Sequence, residues 1–159
     1  MTELNLRRVV TGHDAEGNAI FVSDREMETK VLGSEAEMVV AWTTATFPSD
    51  NNDDFDGAER EVRRVSPGGT VLQYVTMHPH TESKHHRTHS LDYALVLKGE
   101  LELELDNGAS KTVHAGDVVI QRGTIHTWRN ASDEPSLVAF ILIDALPVTI
   151  GGNELAPEN

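Results

Sequence analysis

Residues 85–130 read HHRTHSLDYALVLKGELELELDNGASKTVHAGDVVIQRGTIHTWRN, and this stretch decides how the rest of the chain is understood. Short runs of leucine, β-branched and aromatic residues alternate with turn signals at Lys98-Gly99, Asp106-Asn107-Gly108, Ala115-Gly116-Asp117 and Arg122-Gly123-Thr124. Runs of this length between such punctuation form strands joined by tight turns. In ELELEL, Leu101, Leu103 and Leu105 share one face, and Glu100, Glu102 and Glu104 share the other, because successive strand side chains point to opposite sides. One face packs and the other meets water or a partner. Polar clusters flank the stretch, with His85, His86, His89 and Asp92 at its start and His126 and Asn130 at its end. A β-fold that brings the two ends together creates a pocket of imidazoles and a carboxylate, a donor set suited to a transition metal.

The same pattern extends outward. Residues 7–22 predict a hairpin turning at Asp14–Asn18, residues 37–47 a strand ended by Pro48, and residues 26–36 a strand with a loop. The run SDNNDDFDGAERE at residues 49–61 is loop chemistry, rich in Asp, Asn and Gly, without the spacing of a calcium-binding loop. Ser66-Pro67-Gly68-Gly69 turns into a strand that stops at Pro79, and LVAFILID at residues 137–144 is a nearly continuous apolar strand. No long 3.6-residue apolar period occurs, so helices should be few and short. The segment GGNELAPEN is expected to be frayed or loosely docked. Many short strands with turns between them predict an all-β sandwich or barrel.

At its polar clusters the stretch resembles the cupin superfamily. That family carries a first motif G-x5-H-x-H-x(3,4)-E-x6-G and a second, G-x5-P-x-G-x2-H-x3-N. Here His86 falls on the first histidine, Thr88 on the second, Asp92 on the glutamate and Gly99 on the closing glycine. Gly116, Gly123, His126 and Asn130 match the second motif, one residue short between its glycines and with Gln121 in place of the proline. The resemblance implies a jelly-roll barrel, the double-stranded β-helix, over residues 62–146. Residues 1–61 would be a strand extension packed on that barrel, and residues 147–159 a carboxy-terminal tail. It also implies a divalent transition metal (iron, zinc, manganese or nickel) held by His86, Asp92 and His126.

By strand alternation His86, Thr88 and Asp92 share a face, while His85 and His89 fall on the other; a bulge near the motif would turn His89 inward as a further ligand. Asp92 is the candidate catalytic group, as metal ligand or general base. Thr88, Trp128, Arg122 and His80 are candidate pocket residues. Trp128 offers a flat wall or plain core packing, Arg122 a fork for a substrate carboxylate, and His80 sits in His78-Pro79-His80 on a neighbouring loop.

The net charge is −13 with 13 basic residues, which excludes the basic footprint of a nucleic-acid binder and disfavours an anionic membrane surface. There is no cysteine, hence no disulfide or thiol nucleophile. The start, MTELNLRRVV, is too polar for a secretion leader, and no apolar run is long enough to span a membrane. These features together predict a soluble cytoplasmic protein. The amino-terminal extension and the need to cover strand edges predict a homodimer. Two functions follow. One is a metal-dependent small-molecule enzyme (an oxygenase, isomerase, dehydratase or decarboxylase) acting on an aromatic or carboxylate-bearing metabolite. The other is a non-catalytic small-molecule-binding protein with an altered metal site.

Overall fold

The computed structural model describes residues 5–158. Residues 1–4, part of the segment too polar for a leader, and Asn159 lie outside them. The strands are β1 (Arg7–His13), β2 (Ala19–Glu26), β3 (Lys30–Leu32), β4 (Ala36–Thr44), β5 (Thr70–Met77), β6 (Thr81–Glu82) and β7 (Ser90–Lys98). They continue with β8 (Glu100–Leu105), β9 (Ser110–His114), β10 (Val118–Arg122), β11 (His126–Asn130), β12 (Ser136–Asp144), β13 (Thr149–Ile150) and β14 (Asn153–Glu154). One short 3-10 turn at Gly57–Glu59 is the single helical element described. The all-β expectation holds, and no described helix is long and apolar enough to cross a membrane.

Two antiparallel sheets carry the core. The larger runs in the order β10-β7-β12-β5-β4-β3 and the smaller β6-β11-β8-β9. Their inner faces meet through Met77, Ala94, Val96 and Val138 on one side and Leu101 and Trp128 on the other, with Phe140 against the Trp128 ring edge at 5.7 Å. Burying such side chains is the main stabilising term for a β-sandwich, about 1.5–3 kcal/mol each. The ELELEL alternation is observed. Leu101 is fully buried, while Glu102 and Glu104 face the guanidinium of Arg129, each at 3.4 Å. The turn into β8 depends on Gly99, which has φ of 75°, and a Cβ there would stand 2.7 Å from Ser136 Oγ. Only glycine meets both demands.

The strands before residue 62 divide into two groups. β3 and β4 lengthen the larger sheet through β5, whereas β1 and β2 form a separate hairpin. Arg8 ties that hairpin down. Its guanidinium donates to both carboxylate oxygens of Asp56 at 2.6 Å and to Ala41 O at 3.1 Å, and lies 5.5 Å from the Trp42 ring. The tail docks against the segment that carries His86. Arg87 and Glu158 exchange backbone hydrogen bonds at 3.0 and 3.1 Å, and Arg87 Nη1 donates to Ala156 O. The composition of the tail, polar with two glycines, hides a docking that comes from main-chain groups.

Candidate functional site

The face of β7 that points into the sandwich carries Ser90 and Asp92, and Thr88 continues it one step before the strand. Alternation therefore lines up three oxygen-bearing side chains. Ser90 Oγ donates to Asp92 Oδ1 at 2.5 Å, so its proton is committed, and Thr88 Oγ1 donates in turn to Ser90 Oγ at 2.8 Å. On the neighbouring strand β10, Gln121 stands directly opposite Asp92 in the register. Its amide nitrogen donates to Asp92 Oδ2 at 3.3 Å and to His126 Nε2 at 2.8 Å. Its oxygen accepts from Trp128 Nε1 at 3.0 Å. Asp92, Gln121, His126 and Trp128 are all buried.

His86 and His126 pair through their backbones, and their rings stand 4.4 Å apart. Each places Nδ1 on a main-chain oxygen, His86 on Lys84 O at 2.8 Å and His126 on Thr124 O at 2.9 Å. That contact fixes the tautomer with the proton on Nδ1 and leaves Nε2 as an acceptor. In His126 the acceptor is used by Gln121. In His86, which is half-buried, Nε2 makes no hydrogen bond among the described residues. Burial pushes His126 down to about 4 and also lowers His86, so both imidazoles are neutral at pH 7. Burial pushes the Asp92 carboxyl up to about 6, with the Ser90 hydroxyl opposing the shift.

The remaining candidates separate. Trp128 is buried against Phe140 and presents its N–H to the site instead of a bare wall. His89 is not turned inward by a bulge; its Nε2 meets Leu155 O of the tail at 3.0 Å. His80 is exposed and bonds Asp133 at 2.8 Å, away from the array. Arg122 is exposed and lines a cleft with Thr88, His89, Ser90 and Val148, so it stands near the hydroxyl end of the array and not beside His126. Asn130, fully buried, donates to Met77 O and Glu134 O and organises the turn after β11. Sequence reasoning missed Ser90 and Gln121 as site residues. Alternation from Asp92 could have found Ser90, but Gln121 needs the β7–β10 register.

The side chains do not fit the implied three-ligand metal centre. Gln121 lies between Asp92 and His126 and points donors, not lone pairs, at both. Among the described residues, no group of three or more His, Cys, Asp or Glu side chains converges closely enough to hold an ion.

Comparison with known proteins places this geometry in context. A family model described as "Cupin domain" matches residues 73–143. The chain is 36% identical over 157 residues to "Phomopsin biosynthesis cluster protein C'" of Diaporthe leptostromiformis, covering 93% of this chain and 83% of that protein. It is 33% identical over 153 residues to the "Cupin-domain-containing oxidoreductase srdB" of Neurospora crassa, covering 93% and 78% respectively. A solved conserved protein with a double-stranded β-helix domain from Klebsiella pneumoniae shares the fold with a TM-score of 0.53 at 21% identity, over 74% of this chain and 84% of that one.

Proposed function

This chain belongs to the cupin family, and on that premise we propose that it is a small-molecule biosynthetic enzyme whose barrel interior moves a proton, with Asp92 as the acid–base group. One observation carries the reading: a buried carboxyl raised to about 6 ends a line of hydroxyls leading from Thr88. A carboxyl near neutrality exchanges protons at working pH, which an ordinary exposed aspartate does not. The substrate would dock beside His86, whose free Nε2 accepts a hydrogen bond from it. In the forward step a substrate C–H bond beside a carbonyl loses its proton to Thr88 Oγ1 as the Thr88 proton passes to Ser90 and the Ser90 proton to Asp92. The substrate is left as the conjugate base and Asp92 as the neutral acid. The names of the relatives, biosynthesis cluster proteins and oxidoreductases, support an enzyme of small-molecule metabolism. An aromatic or carboxylate-bearing carbonyl compound suits a pocket of this polarity.

A second reading is a binding protein without turnover. Its support is that Gln121 and His126 satisfy one another fully inside the chain. The two differ in one measurement. The protein is incubated in heavy water with a panel of aromatic and carboxylate-bearing carbonyl metabolites, and deuterium uptake is followed by mass spectrometry. Enzyme-dependent uptake that falls by about 10²-fold or more in Asp92→Asn is expected. Enzyme-dependent uptake equal in both proteins would reject Asp92 as the acid–base group, and ligand retention without uptake would favour the binder.

A further inference from the structure

We propose that Gln121 stands where a metal-bound pocket of this kind would hold its ion, so that this pocket is built to work without one. With Nδ1 of His126 committed to Thr124 O, Nε2 is the atom an ion would need. Gln121 already donates to it at 2.8 Å, and the other N–H of the same amide faces Asp92 Oδ2. The amide cannot simply turn over. Trp128 Nε1 is a donor only, and it holds the Gln121 oxygen at 3.0 Å. A flipped amide would set N–H against N–H at Trp128 and take the donors away from His126 and Asp92. Swinging the side chain aside would also strand its amide, because Gln121 is buried opposite Asp92. Admitting an ion between His126 and Asp92 therefore breaks three hydrogen bonds at once inside the barrel. Gln121 acts as a positioning residue: it holds His126 and Asp92 in place through one amide where a cation would otherwise do so.

The inference takes the pocket as the reaction site. A failure of that reading would appear as absent deuterium uptake, and a failure here as metal uptake. The test is a titration of Zn²⁺ and Ni²⁺ against a chromogenic chelator, using protein purified without a polyhistidine tag. The wild-type chain is expected to leave the chelator loaded. Gln121→Glu keeps an oxygen on Trp128 Nε1 and turns a second one toward His126, completing a set of carboxylate and imidazole ligands. It should bind one ion at least about tenfold more tightly than wild type. Trp128→Phe, which frees the amide to turn its oxygen inward, should move affinity in the same direction. One tightly held equivalent in the wild type, lost in His126→Ala, would overturn the proposal, as would a folded Gln121→Glu no tighter than wild type. Should Gln121→Glu lose its β-sheet circular dichroism, the wild-type titration decides alone.

Discussion

The two walls of the pocket are built on different principles. The β7 wall uses short side chains, Thr88, Ser90 and Asp92, passed hand to hand by strand alternation along one backbone. The wall from β10 and β11 uses the long planar groups of Gln121, His126 and Trp128, which come from two strands and rest on the apolar core. The first is a line of hydrogen-bonded protons. The second is a scaffold in which a polar geometry is enforced by hydrophobic burial. One site can thus separate the task of carrying charge from the task of holding shape.

The sharpest break in that contrast comes from Trp128→Ala. It removes both a core side chain and the donor that orients Gln121, and should cost about 3–5 kcal/mol in chemical denaturation. A loss no greater than that of a single hydroxyl would erase the distinction between the walls.

Titration sharpens the contrast next. Asp92 sits above its ordinary value of 3.8, so its contribution to stability is complete below about pH 4 and is lost as pH rises through about 6. His126 sits below its ordinary value of 6.5, so its contribution is complete above that value and is lost as pH falls through about 4. Between about pH 4 and pH 6 the two slopes oppose one another. Asp92→Asn leaves only the histidine slope, and its stability relative to wild type should climb by roughly 2 kcal/mol across that window. A relative stability that stays level would mean that Asp92 titrates like a surface carboxylate.

The smallest effect belongs to the β7 wall. Thr88→Val removes one hydroxyl that donates to Ser90 and keeps the side chain's shape, so the expected loss is about 1 kcal/mol. A loss approaching that of Trp128→Ala would show that the hydroxyl line, too, holds the barrel together.

Most strands were legible because their signals are local. The turns at Asp14–Asn18, Gly99 and Asp106–Gly108 and the alternation of ELELEL depend on nearby residues alone, and the structure follows them. His86 and His126 were legible as a pair through the motifs that contain them. Gln121 was not, since its role exists only when β10 lies beside β7 in one register and Trp128 reaches it from β11. Read by residue type, Thr88 is a missing ligand; read with Ser90, it is the outer end of a hydroxyl line. Where the tail docks was not legible for a related reason, because its pairing with Arg87 runs through backbone groups that carry no side-chain signature.

That anchoring has a practical side. The segment holding His86 is hydrogen-bonded to His126 on one residue and to Glu158 on the next, so Glu158 pairs one residue along the backbone from the pocket's free imidazole. A purification handle or fluorescent fusion appended there would pull on the same strand that carries His86. A run of added histidines would bring foreign imidazoles within reach of it and counterfeit metal uptake. The β1–β2 hairpin, which Arg8 fastens to Asp56, is a better place for a reporter.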